Sequence, residues 1–343
     1  MSRLALALLA LLAASNLIAG LVGGLARLGV FTHPLALALL PHHGALMMAG
    51  FFGSVIALER AVALQRGLWV PVSAALAGWL LVLLPTQTAL TGLTWAASAA
   101  GLALLYAWAA HHRKVSLPLA VEASATLALL VGTTGWAAGE DAAARLGWSA
   151  FILLTVAGER RELTALANLP PWSRRTFVLL WLAVLLSVAL VRPAPDLALP
   201  LWWAAALGLA AWLARFDIGL RAWRAPGWPR HTARCLMVGL AWLAVAAALG
   251  LAGRAAAWHV LWLGFVWAMV FAHAPIMLTA LARLRPAYTP WAMAPVALMS
   301  LGVALRTAAT LAGWPNLLAA AASAQALALV AFALVMVRAV RGR

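Results

Sequence analysis

The sequence predicts an all-α membrane protein, with about twelve transmembrane helices in one bundle. The first observation is composition: 66% of the 343 residues are hydrophobic and 9% are charged, with a mean hydropathy of +0.98. Soluble globular domains carry about 45–50% apolar and about 25% charged residues, so a water-soluble enzyme is excluded, and so is a disordered polar chain. The second is segmentation into apolar stretches of bilayer length. The third is a one-sided distribution of basic residues.

Taken in order, the apolar stretches are 4–28, 43–64, 68–86, 90–110, 116–138, 142–165, 176–192, 197–214, 232–252, 257–282, 290–312 and 316–338. The first is too long for the apolar core of an ordinary signal peptide and is read as a helix. Pro34 and Pro41, then Pro71 and Pro85, separate the next stretches. His111-His112-Arg113-Lys114 and Glu140-Asp141 follow, and then Pro170-Pro171 and Arg192-Pro193. Pro226 with Pro229, Arg285-Pro286 and Trp314-Pro315 mark the last breaks. These are the proline and charge signals that end helices. No polar stretch is long enough to fold alone, so residues 1–343 are expected to form a single polytopic domain.

Charge tests this count. With twelve helices and a cytoplasmic N-terminus, all of the 24 basic residues except Arg27, Arg145, Arg192, Arg254 and Arg306 fall on the cytoplasmic side. Both termini are then cytoplasmic, and the formal charge of +16 reflects the positive-inside rule rather than nucleic-acid binding. The single cysteine, Cys235, excludes internal disulfides, Cys-ligated iron–sulfur clusters and haem attached through a C-x-x-C-H motif. The 19 tryptophans are expected at span ends as an aromatic belt. Gly20 and Gly24 form a G-x-x-x-G packing step.

Polar side chains inside such segments are costly and therefore informative. They fall into two layers. His33, His42, His43 and His259 lie at the outer face. Glu59 is about 24 Å further along the helix from His43 at 1.5 Å per residue, near the cytoplasmic face. Glu159, Arg160, Arg161 and Glu162 end the sixth helix on that side. His273 lies about 21 Å from His259, and uniform steps of about 100° place both on one helix face. The outer layer admits two readings: interfacial histidines bonded to water and headgroups, or imidazole ligands to haem or copper. On the second reading His43 and His259, each opening a helix, are the preferred pair, with His42 a further metal candidate and His273 a further cofactor candidate. Glu59, Arg60, Glu159, Arg160 and Glu162 form an ion-pair or proton network on the inner side. His273-Ala274-Pro275 adds a helix-kinking proline. No Walker loop, dinucleotide fingerprint or catalytic triad is present.

Three segments resemble the NnrS family of membrane proteins associated with nitric oxide and nitrosative stress. HGALMMAGFFGSVIALERAVAL at 43–64 is similar to that family's second helix through His43, Met47, Gly50 and Phe51. TVAGERRELTALANLP at 155–170 is similar through Gly158 and Arg160, and 256–286 through His259 and Gly264. The resemblance implies a haem- and copper-associated protein of the bacterial cytoplasmic membrane, with a twelve-helix plan like the main subunit of haem–copper oxidases. It adds Met47 to the candidate cofactor residues. Two departures stand out. Ala45 occupies the family's second histidine position, although His42 precedes His43, and the sixth and seventh helices carry no histidine. A membrane oxidoreductase of this kind would lack an evident binuclear haem–copper centre.

The expected function is haem or metal binding in nitric oxide or related redox stress. A small gas such as nitric oxide would be its ligand, the lipid bilayer its setting, and a quinol or redox protein its electron source. Two other classes compete. A proton-coupled transporter or channel would use Glu59, Glu122, Glu159 and His273 and contain repeated, broken helices. A cofactor-free assembly or scaffold protein would tolerate replacement of every histidine.

Overall fold

The computed structural model describes residues 3–112, 114–164 and 167–342. Arg113 and Arg343, counted above with the cytoplasmic basic residues, lie outside these. The described residues form helices and no strand. In chain order the rods are α1 (Arg3–Ala26), α2 (Pro34–Leu64), α3 (Trp69–Leu83), α4 (Thr88–His112), α5 (Leu117–Ala137) and α6 (Asp141–Thr164). They continue as α7 (Pro171–Leu190), α8 (Pro195–Phe216), α9 (Trp228–Leu251), α10 (Ala256–Ala282), α11 (Pro290–Ala312) and α12 (Pro315–Arg341). Among the described residues, 10 helices are long and apolar enough to cross a membrane, and the chain is a multi-pass membrane protein. The two other rods are α3, with 15 residues, and α6, whose apolar run is interrupted by Arg145 and ends in Glu159-Arg160-Arg161-Glu162.

The chain divides into two compact units: Met1–Gly158 with Leu185–Ala198, and Glu159–Val184 with Leu199–Arg343. In the first, glycine lets helices approach closely. A Cβ on Gly147 of α6 would lie 2.6 Å from the Cα of Gly132 and 2.7 Å from the Ala128 carbonyl of α5. Gly20 and Gly24 of α1 do the same for α2. A Cβ at Gly20 would meet Met47 at 2.6 Å, and one at Gly24 would sit 3.7 Å from the His43 ring. Asn16, 1% exposed, donates from Nδ2 to the Leu12 and Ala75 carbonyls at 3.0 and 3.1 Å, tying α1 to α3.

In the second unit, tryptophans carry much of the packing. Trp203 fills the space above Gly250 and meets Trp258 at 4.7 Å between ring centroids. Trp212 donates to the Ser173 carbonyl at 2.9 Å, and Trp242 donates to Ser300 at 3.2 Å. The expected aromatic belt is therefore only part of the account: Trp95, Trp148, Trp202, Trp203, Trp212 and Trp267 are buried. The indole N–H finds a carbonyl for Trp95, at Ala74, and for Trp212, at Ser173, whereas those of Trp148 and Trp202 are buried without a partner among the described residues; a satisfied N–H is what suits a Trp to an apolar core.

The glycine crossing makes a direct prediction. Gly147→Ala should lower stability by about 1–3 kcal/mol, the usual cost of overpacking. Gly44→Ala, where an added Cβ meets nothing within 4 Å, should leave stability unchanged. Thermal unfolding of the detergent-solubilised protein would compare the two.

Candidate functional site

His43 belongs to the first unit. The chain enters α2 through Pro34 at the helix start, with His33 as N-cap accepting from the Leu35 amide at 3.3 Å. Proline is well suited there, because its missing N–H is one that a helix start leaves unpaired. The helix thus begins nearer the N-terminus than the expected 43–64, and Pro41 is absorbed into a 3-10 turn, Leu40–His42. His42 is buried edge-on to Trp136, with ring centroids 6.1 Å apart. His43 is half-buried, and its Nδ1 lies 3.1 Å from the Leu40 carbonyl. A carbonyl can only accept, so Nδ1 carries the proton and Nε2 becomes the acceptor nitrogen of the ring. Met47, one turn on, packs over Gly20.

After the α-helical residues His43–Ala45, α2 continues as a π-helical segment, Leu46–Phe52, which includes Met47. The second unit contains a counterpart: His259 is followed by the π-helical segment Val260–Val266 in α10. Both segments contain Gly-Phe, at Gly50-Phe51 and Gly264-Phe265. Both helices end on the only non-glycine residues with positive φ among those described, Gln65 at 53° and Arg283 at 54°. π segments are rare and frequent at functional sites. Each extra residue in a π turn also sets back the helical rotation by about 100°. The inference that His259 and His273 share a face, drawn from uniform α-helical steps, therefore does not carry through α10.

Pro275 removes the amide that would pair with the Phe271 carbonyl. In the structure His231 of α9 approaches that carbonyl through Nε2 at 3.0 Å, and Thr232 donates to the Ala272 carbonyl at 3.0 Å. His231 is 1% exposed, and its ring also lies 3.5 Å from Cys235 Sγ. This arrangement repairs the proline break. The sequence signal for it was Pro275 itself, but nothing in the sequence named His231 as the partner.

Within each unit charged residues pair. In the first unit Arg60 pairs with Glu122 at 2.5 Å, with Glu122 only 3% exposed. The Tyr106 hydroxyl donates to the same carboxylate at 3.3 Å, and Arg60 lies over the Tyr106 ring, 4.9 Å from its centroid. Gly158 leaves the space for Glu122, since a Cβ there would sit 2.5 Å from Glu122 Cγ. Glu59 is half-buried and within electrostatic reach of Arg60.

In the second unit Arg160 forms a two-pronged bond with Asp217, Nε to Oδ2 at 2.6 Å and Nη2 to Oδ1 at 2.5 Å, with side chains 5% and 1% exposed. Asp217 also accepts from the Gly219 amide at 2.8 Å. Gly219 is needed because a Cβ there would collide with the Arg160 guanidinium. His273, bonded through Nδ1 to the Met269 carbonyl at 2.7 Å, lies within electrostatic reach of this pair. Glu159 is half-buried and Glu162 exposed.

Sequence reading put Arg60 and Arg160 in one network with Glu59, Glu159 and Glu162; it did not include Glu122 or Asp217, the partners in these ion pairs. Asp217 was passed over because it lies in the polar connection after α8. Its Asp-x-Gly spacing, an N-cap signature before the 3-10 turn Ile218–Arg224, was the available clue. Among the described residues no group of three or more His, Cys, Asp or Glu could hold a metal ion.

The buried pair should respond very differently from an exposed one. Asp217→Ala strands Arg160 and should cost about 3–5 kcal/mol, while the double replacement Arg160→Met with Asp217→Leu should recover most of that loss. Arg192→Gln breaks the pair with Glu140, whose side chains are 44% and 45% exposed, and should cost at most about 1 kcal/mol. Thermal melts of the four proteins in one detergent would test the ordering.

No curated protein matches this chain. A family model spans residues 3–341, nearly the full length. The chain therefore belongs to the family described as a domain of unknown function, DUF8744.

Proposed function

We propose that this chain is a haem-binding membrane protein similar to NnrS, acting in nitric oxide or related redox stress. In this reading it has twelve spans, both termini in the cytoplasm, and the bacterial cytoplasmic membrane as its location. The observation that carries the reading is the state of His43. Its Nδ1–H is fixed on the Leu40 carbonyl, Nε2 is the acceptor, and the ring stands at the head of a π segment. A carbonyl that accepts from the other ring nitrogen and so sets the tautomer is the common companion of a metal-ligating histidine. His259 heads the matching segment of the second unit and is the other candidate ligand.

Haem suits these residues better than a bare ion, because the porphyrin supplies most of the iron's ligands and the protein need add only one or two imidazoles. When bound, haem iron would supply the site for a small gas or for electron transfer. Arg306 adds a second point of fit. No carboxylate among the described residues pairs with it, and it lies on α11, which contacts the Ala256–His259 turn. A guanidinium in that position is complementary to a propionate. Met47, packed over Gly20, supports the helix seam beside His43.

A specific observation also favours the transporter reading: each unit contains one π-interrupted helix, and α10 carries Pro275 as well. Interrupted helices in corresponding positions are a pointer to substrate sites in secondary transporters.

The visible spectrum separates the readings. Detergent-purified wild-type protein, expressed with haem supplied, should show a Soret band that shifts on reduction and again with nitric oxide. His43→Ala and His259→Ala, measured separately, should each weaken or abolish it, and Arg306→Gln should lower haem occupancy. A colourless wild-type protein sinks the haem reading and brings proton-coupled uptake into vesicles forward as the next assay.

A further inference from the structure

The ends of α6 and α7 enclose a groove of about 930 Å³ within the second unit. Its polar side carries Arg161, Thr164, Asn168, Arg174 and Arg175. Its apolar side includes Leu169, Pro170, Val178 and Leu179. Among the described residues no Asp or Glu lines it. Arg161 and Arg174 are near enough for their charges to repel. Arg161 donates from Nη1 to Thr164 at 3.2 Å, yet its Nε is buried with no hydrogen-bond partner among the described residues.

The positive-inside rule accounts for arginines at this end of the helices. Such charges act while solvated and need neither a groove nor a buried donor. Like charges converging on a cavity without a carboxylate are relieved by an anion, and guanidinium forks match phosphate oxygens in pairs. The volume is at the upper end of the roughly 300–1,000 Å³ range of small-molecule sites, generous for a lone phosphate. The apolar wall continues along α7 onto Leu179 and Leu182, which are 67% and 48% exposed, where an acyl chain can lie.

We propose that this groove binds the phosphate headgroup of an anionic phospholipid, with Arg161, Arg174 and Arg175 holding the phosphate and α7 flanking the acyl chain.

Native mass spectrometry of the full-length protein in a neutral detergent tests this with three probes: phosphatidylglycerol, phosphatidylcholine and glycerol 3-phosphate. Wild type should bind phosphatidylglycerol at least about tenfold more tightly than phosphatidylcholine, on the scale expected for several arginines near a headgroup. Arg161→Gln/Arg174→Gln/Arg175→Gln should lose that preference. Arg338→Gln/Arg341→Gln, which removes two exposed charges from α12, should keep it. Equal binding of the two lipids by wild type overturns the proposal, as does an equal loss in both variants. Glycerol 3-phosphate binding as tightly as the lipid overturns the lipid assignment in favour of a soluble phosphate ester. Should the triple variant not fold, the wild-type comparison and the single exposed change Arg175→Gln decide, with a measurable drop in preference expected from the latter.

Discussion

A lipid bilayer offers a helix no hydrogen bonds, so every polar group freed inside an apolar segment must be satisfied by the protein itself. The irregular features of this chain follow from that constraint. Pro275 breaks the ladder of α10, and α9 answers with His231 and Thr232 on two successive carbonyls. Asn16 spans from its own helix to the Ala75 carbonyl. Arg160 is held by both oxygens of Asp217, which in turn is fixed by the Gly219 amide. In each case one residue creates a need that a residue distant in sequence meets. These contacts act mainly by specifying which helices meet and in which register, because burying an ion pair gives little net stability over a well-packed apolar alternative.

The same constraint gives α2 and α10 their interest. A π segment exchanges ordinary i→i+4 pairing for a wider turn, which costs hydrogen-bond quality in surroundings that supply no substitute. It occurs in each unit within a turn of a histidine and with a Gly-Phe step inside it. The glycines explain the space. Gly50 lies against Asn16, and Gly264 lies against Trp242, whose Cγ would be 2.6 Å from an added Cβ. A strained turn supported by a close helix contact on one side can re-aim the side chains on the other. That is a reason to look for function at these two places before the ion pairs.

Much of the fold was legible because apolar length and proline breaks act locally. The expected stretches correspond to helices with boundary shifts of a few residues, except α2, which begins at Pro34 rather than His43, and α3 and α6 differ for readable reasons, shortness and charge. The site was less legible. His43 and His259 stood out as imidazoles at helix starts, but π segments have no composition of their own, so the altered rotation beyond His259 was invisible. Asp217 looked like a loop residue because only its partner, 57 positions away, reveals its burial. The tryptophans misled in the other direction: the same residue serves an interfacial belt and a buried core, and its place depends on the helix it packs against, which composition does not give, as with Trp203 over Gly250.

Charge balance links these points. The chain has 24 basic and 8 acidic residues. Glu122 and Asp217 neutralise arginines that are buried or half-buried, and Glu140 is engaged with Arg192. Few carboxylates are left for the arginines at helix ends. Where those arginines point into water, counterions suffice, and the long side chain keeps its charge hydrated. Around the α6–α7 groove that solution is incomplete, since Arg161 is partly withdrawn from water and one of its donors is buried. An anion from outside the chain would complete such a site. In a membrane the nearest abundant anion is the phosphate of the lipid.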